Sequence, residues 1–256
     1  MTLFVSEVFS AIQGEAALVG ERQIFVRLMG CNIRCHYCDQ PEALEKTAGT
    51  CRMEQTAGRR DWVGIASPMD TEVVLEAVRR LADQVPHHSV SLTGGEPLFQ
   101  RRVVPDLVTG LARLGTRVML ETNGTLPGAL AEVAEGLSFV SMDLKLPSVD
   151  GESVSEATQE EFLRTCLDLG LTTWVKLVVG PAIDRMEFAR AVTMVAEVAG
   201  CFPGPVPELF LQPLTPFALA SEAPGPELML ELQAEALRLH PRTRVIPQTH
   251  KAIGQL

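Results

Sequence analysis

"GCNIRCHYCDQ", residues 30–40, sets Cys31, Cys35 and Cys38 within eight positions and offers no fourth cysteine at matching spacing. The segment follows "QIFVRLM", a run of strand character, so the three thiols fall on a loop at the carboxyl end of a strand. A loop can turn three sulfurs toward one point, which a regular helix or strand cannot. Thiolates select zinc, copper(I) or iron–sulfur clusters. A structural zinc wants a fourth ligand. His36 lies inside the motif, but zinc spacing is normally built from C-x2-C halves, and Cys51, Cys166 and Cys201 have no local partner. Three cysteines on a [4Fe–4S] cube leave one iron open to a small molecule, which suits catalysis better than electron storage.

Outward from this loop, strand-like and helix-like stretches alternate. "LFVSEVF" precedes it. "SVSLTGG", "RVMLETNG", "LSFVSMDLK", "TTWVKLVVG", "ELFLQPL" and "RVIPQ" follow as strands. Between them the helical candidates include "TEVVLEAVRRLADQ", with Asp70 as its cap and Val74, Val78 and Leu81 on one face, and "VVPDLVTGLARLG", stopped at Gly115. Such alternation implies mostly parallel strands joined by right-handed crossovers. Six repeats fit a partial or complete (β/α) barrel, with an open doubly wound sheet as the rival. Either architecture puts chemistry at the carboxyl ends of the strands. "TGGEP", "ETNG" and "DLK" obey that rule with the cysteine loop. Residues 41–69 show no convincing period and are expected to be an irregular insertion, a candidate lid, within one domain spanning 1–256.

Composition narrows the class. The 256 residues are 46% hydrophobic and 21% charged, which is globular rather than disordered. A net charge of −10 argues against nucleic acid or anionic membrane as a partner, so an anionic substrate needs locally placed cations. No uncharged apolar run approaches transmembrane length, and the acidic start does not read as a signal peptide. Clustered cysteines point to a reduced, cytoplasmic setting.

The C-x3-C-x2-C spacing, with Tyr37 before Cys38, resembles the radical S-adenosylmethionine superfamily, and "TGGEP" and "ETNG" are similar to its strand-end motifs. The resemblance implies a partial (β/α)6-type barrel and a [4Fe–4S] cluster on Cys31, Cys35 and Cys38. Its open iron chelates S-adenosylmethionine, which an electron cleaves to methionine and a 5′-deoxyadenosyl radical. "SAIQGEAALVGERQIFVRLMGCNIRCHYCD" further resembles the 7-carboxy-7-deazaguanine synthases, and the likeness continues through "LTGGEP", "ETNG", "MDLKLPS", "LQPL" and "PQTHK". It implies a lyase that rearranges 6-carboxy-5,6,7,8-tetrahydropterin to 7-carboxy-7-deazaguanine with loss of ammonia, on the route to queuosine. No side chain is assigned as a general acid or base.

Residue by residue, the resemblance places Tyr37, Cys38, Asp39, Gly95, Glu96, Glu121, Asp143, Leu144 and Lys145 at the cofactor. It places Ile12, Gln13, Gly14, Glu15, Arg27, Thr93 and His250 at the pterin. The residues make chemical sense of this. Gly94 and Gly95 let backbone approach a ligand. Arg27 can grip a carboxylate bidentately, or serve instead in a structural ion pair. Gln40 departs from the family's threonine or serine, whose hydroxyl helps bind Mg²⁺, so magnesium dependence is in doubt. Implied partners are an electron donor such as flavodoxin or ferredoxin, and a second copy in a homodimer. The rival readings are a radical activase acting on a protein, a non-catalytic iron–sulfur or zinc scaffold, and a metal-free binding domain.

Overall fold

A computed structural model describes residues 2–151, 154–217 and 219–255. The strands are β1 (Thr2–Leu3), β2 (Val5–Ile12), β3 (Arg22–Leu28), β4 (Gly49–Glu54), β5 (Trp62–Ser67), β6 (Met69–Asp70), β7 (Ser89–Gly94), β8 (Val118–Thr122), β9 (Phe139–Leu144), β10 (Thr172–Val179), β11 (Glu208–Pro213) and β12 (Thr243–Val245). The helices are α1 (Thr71–Ala82), α2 (Val104–Arg113), α3 (Pro127–Ala131), α4 (Pro147–Asp150), α5 (Glu156–Asp168), α6 (Arg185–Gly200), α7 (Pro226–Leu239) and α8 (Thr249–Ala252).

One ten-stranded sheet runs in the order β12-β11-β10-β9-β8-β7-β3-β2-β4-β5. From β3 to β12 the seven strands are parallel and follow chain order, so six crossovers wind the chain in one direction. The end strands β5 and β12 do not pair, which leaves the partial barrel that the resemblance implied and decides between the partial and complete forms that the alternation left open. β2 runs antiparallel to β3.

Side-chain period two divides each parallel strand into two faces. The outer set, Ile24, Val26, Val90, Leu92, Val118, Leu120, Val140, Met142, Val175, Leu177, Leu209 and Leu211, joins helix residues such as Val74, Val78, Leu107, Phe162 and Phe188 in one buried core. The inner set is mixed. Gln23, Arg27, Ser89, Ser91, Lys176 and Gln212 are all buried without belonging to that core. Beside them Met119, Trp174 and Phe210 form a small apolar plug with Ala16. Helices are fixed by ordinary means. Asp184 accepts from Met186 and Glu187 N–H at 2.7 and 3.0 Å at the start of α6. Gly115, at φ +75°, ends α2 as expected. Asp70 occupies the N-cap of α1 but makes no capping hydrogen bond.

The expectation of an irregular insertion over 41–69 is corrected here. β4 and β5 pair from Gly49↔Ser67 to Glu54↔Trp62, and β4 pairs in parallel with β2, so much of the segment is a hairpin extending the sheet edge. Its period is hard to read because exposed positions are not uniformly polar: Thr50, Arg52, Gly64 and Ala66 share the solvent face, while Val63, opposite buried Met53, is exposed on the other. Of residues 41–69, Leu44 alone lines the central cleft.

Candidate active site

The cysteine loop leaves β3 at the carboxyl end of the barrel and is pinned by backbone. Gly30 and Cys31 N–H donate to the carbonyls of Ala43 and Leu44 at 2.7 and 2.9 Å, and His36 N–H to that of Asp150 at 2.8 Å. Cys31, Cys35 and Cys38 carry free thiols, half-buried, and all three line one cleft. Burial pushes each thiol up, Cys35 to about 12, so thiolates there require a cationic occupant. Among the described residues no group of three or more His, Cys, Asp or Glu side chains converges as a single-ion site. Three soft donors on one loop wall, with no closed four-ligand cage, fit a cluster bound at three corners better than one metal ion.

"TGGEP" ends β7 directly beneath this loop. Here the sequence expectation changes. The glycines serve chain packing: a Cβ on Gly94 would stand 2.1 Å from the Leu28 carbonyl, and one on Gly95 2.4 Å from that of Gly30. Gly95 and Glu96 N–H then bond to those two carbonyls at 3.0 and 2.8 Å. Glu96 does not line the cleft. Its carboxylate is fully buried and accepts from Leu98 N–H, Thr122 Oγ1 and Asn123 N–H at 2.7–3.0 Å, tying the end of β7 to the end of β8. Burial pushes Glu96 up to about 7 against these donors. Leu144 likewise stays out of the cleft, since its side chain lies in the helix-facing core.

The other site residues named from the sequence converge. Ile12, Gln13, Gly14, Glu15, Arg27, Thr93 and His250 share the cleft with Tyr37, Asp39, Gln40, Gly95, Glu121, Asp143 and Lys145. Glu121, on β8, accepts from Gln13 Nε2 (2.8 Å), Ser91 Oγ (3.0 Å) and Thr93 Oγ1 (2.9 Å). Burial raises its pKa, and the neighbouring Glu15 adds to the shift. Arg27 Nε is committed to Glu7 at 3.1 Å, in a buried ion pair that Arg52 also joins. No hydrogen bond among the described residues engages its two Nη atoms. His250 packs on Gly14, where a Cβ would meet its ring at 2.2 Å, and Thr249 N–H donates to the Gly14 carbonyl at 2.9 Å. Asp39 pairs with Lys251 at 3.1 Å.

Four participants had no place in the sequence reading of the site. Lys176 bridges Glu15 and Asp143; Asp150 receives the Tyr37 hydroxyl and faces Lys145 at 3.6 Å; Gln248 donates to Glu15 at 2.8 Å. The fourth, Gln212, lines the cleft with a buried Oε1 that has no hydrogen-bond partner. An orphaned buried acceptor facing the cleft is a place for a ligand donor. Lys145 Nζ meets Tyr37 Oη at 3.1 Å and Asp143 Oδ2 at 3.3 Å, so alternating charges run along the wall from the cysteine loop to Glu15.

A barrel of six parallel crossovers carrying a three-cysteine loop at its mouth defines a class, and residues 26–195 match the model of the Radical SAM superfamily. The 7-carboxy-7-deazaguanine synthase of Geobacter sulfurreducens is 38% identical over 256 residues, covering 98% of this chain and 97% of that protein. That of Methanothermobacter thermautotrophicus is 32% identical over 265 residues, covering 98% and 96%. The crystal structure of QueE from Escherichia coli superposes with a TM-score of 0.58 at 20% identity, over 97% of this chain and 94% of that one. The chain belongs to the radical SAM superfamily and, within it, to the 7-carboxy-7-deazaguanine synthases.

Proposed function

We propose that this chain converts 6-carboxy-5,6,7,8-tetrahydropterin to 7-carboxy-7-deazaguanine with release of ammonia, as a radical SAM lyase of deazapurine biosynthesis. The observation that carries the reading is the convergence, in one cleft, of three free cysteines on one loop with Arg27, Glu15, Glu121 and the Lys145–Asp143 pair. When bound, the [4Fe–4S] cluster and S-adenosylmethionine supply the one-electron chemistry that starts the rearrangement. Cys31, Cys35 and Cys38 hold the cluster. Gly95, Asp143 and Lys145 border the cofactor, with Tyr37 held beside it through Asp150 and Lys145.

On the opposite wall, Arg27 turns its two Nη atoms to the pterin carboxylate while Glu7 fixes Nε. Gln13 is an internal strut: its amide joins Gln23 at 2.9 Å and Glu121, and its carbonyl receives Glu15 N–H at 3.0 Å. The pterin edge therefore meets Glu15 and Glu121 rather than the Gln13 side chain. Positioning and exclusion of water are the protein's share of the work.

Gln40 borders the cleft where a hydroxyl would otherwise ligate Mg²⁺. The longer Gln40 side chain carries its amide oxygen away from the place a threonine hydroxyl would take, so this enzyme depends less on the ion than a Gln40→Thr variant does. Turnover in chelated buffer against graded Mg²⁺ checks this; identical saturation curves would refute it. An electron-donor protein such as flavodoxin or ferredoxin supplies the electron.

The test is anaerobic reconstitution followed by incubation with S-adenosylmethionine, reductant and the carboxytetrahydropterin. Formation of the deazaguanine and ammonia is expected. Reductive cofactor cleavage without any pterin product would overturn the substrate assignment.

A further inference from the structure

Lys176 stands at the centre of the cleft wall with no role assigned above. β10 presents it on the inner face, in register with Asp143 of β9 and Phe210 of β11. Its side chain is 9% exposed. Nζ contacts Glu15 Oε2 on one side and lies 2.9 Å from Asp143 Oδ1 on the other. Asp143 is held in turn by Lys145. Glu15 is fixed from three directions: Lys176 on Oε2, Gln248 Nε2 on Oε1 at 2.8 Å, and its own N–H bonded to Gln13 Oε1. Each carboxylate oxygen retains a lone pair beyond these bonds, and Glu15 lines the cleft.

We propose that Lys176 is a positioning residue: braced against Asp143, its ammonium aims Glu15 into the cleft as a fixed anion that receives a ligand edge of paired N–H donors. This rests on the pterin reading and names how one edge of that substrate is held. A 2-amino-pyrimidinone edge offers two parallel N–H groups, matched to the two oxygens of a carboxylate as a guanidinium is.

The charged groups around the pair fix the sign of the effect. Asp143 from β9 and Glu121 from β8 face Lys176, with Glu15 from the segment after β2, and they hold the ammonium protonated despite burial. Burial alone would raise Glu15, but Lys176, with Gln248 and a smaller share from His250 of α8, brings it below the ordinary carboxylate range. Lys145 adds a cation beyond Asp143, and Lys251 one beyond His250. Without Lys176, Glu15 is a buried carboxyl beside two others, and both burial and like charge favour its taking up a proton.

Two measurements test this, the first needing no ligand. Side-chain ¹³C titration of glutamate-labelled protein, with Glu15 assigned through Glu15→Gln, follows its ionisation. Glu15 should titrate below the usual range in the native protein and in Lys176→Arg, and above it in Lys176→Met. Unmoved titration in Lys176→Met overturns the proposal, whatever the substrate. The second is equilibrium binding of the carboxytetrahydropterin to anaerobic holoenzyme. Lys176→Met should bind about tenfold more weakly at about pH 6 than at about pH 8.5. Native protein and Lys176→Arg should show a flat profile. The slope must vanish in Glu15→Gln/Lys176→Met; a slope that survives there refutes Glu15 as its origin. If Glu15 titrates as expected and native holoenzyme binds no pterin, the substrate reading fails and the control of Glu15 by Lys176 stands.

Discussion

The two faces of β7, β8, β9, β10 and β11 are made by the same residues in alternation, yet they obey different rules. Leu92 and Leu120 point outward into a core of helix side chains, where shape and volume set the energy. Thr93 and Glu121, their immediate neighbours in sequence, point inward to polar partners, where unsatisfied groups set it. Fold and site are thus interleaved at single-residue spacing. Stability and activity should separate cleanly between adjacent positions.

The sharpest break in the comparison is at the mouth. Cys35→Ala removes a half-buried side chain that packs little, so the metal-free protein should melt as the native one does. Reductive cleavage of S-adenosylmethionine should fall to background, since a cluster with two protein ligands is not retained. Full cleavage at a verified iron content would refute the ligand assignment.

Adjacent residues on β7 come next. Leu92→Ala opens a cavity in the outer core and should cost about 2–5 kcal/mol, read by denaturant unfolding, with pterin affinity kept. Thr93→Val takes one donor from Glu121, should cost about 1 kcal/mol, and should weaken pterin binding instead. Equal losses of stability from both would show that the two faces are not distinct. Arg27→Lys follows. It keeps the charge but loses the fork, so pterin affinity should drop about tenfold while cofactor affinity holds. Unaltered pterin affinity would leave Arg27 as a structural partner of Glu7.

The sequence made the outer face legible, because strands and helices alternate along the chain and the strands from β7 to β11 carry Val, Leu or Met at alternate positions. The cysteine loop was legible from spacing alone. The inner face was only partly so. Lys176 in "TTWVKLVVG" looks like one cation in an apolar strand; its meaning depends on standing beside Asp143, which requires the register of β9 with β10. Motif membership does not say which way a side chain turns: Glu96 and Leu144, expected at the cofactor from their motifs, keep their side chains out of the cleft. The β4–β5 hairpin was missed because Gly64 and Ala66 on its solvent face are not polar and blur the alternation, although the polar tip "TAGRRD" between the two strands is a turn signal.

Glu96 gives the finest test, because it belongs to neither face: it is the buried carboxyl that ties two strand ends together. Its folded pKa of about 7 exceeds its ordinary value of 4.5, so between those values the folded chain holds a proton that the unfolded chain has released. Stability from this group is therefore complete below pH 4.5 and declines as pH rises through about 7. The decline is on the order of 3 kcal/mol at its largest. Glu96→Gln cannot ionise and removes this contribution to the slope. Its NH₂ opposes one of the donors now bonded to the carboxylate, which lowers stability relative to the protonated native acid by about 1–3 kcal/mol. The level and the slope thus report different things, and only the slope reports ionisation. Urea unfolding of native protein and Glu96→Gln between about pH 5 and 8 should show their difference shrinking as pH rises, since the native protein alone bears the cost of ionising Glu96. A constant difference across that range would mean that the three donors already hold Glu96 as an anion, and that the brace between β7 and β8 is charged in the resting protein.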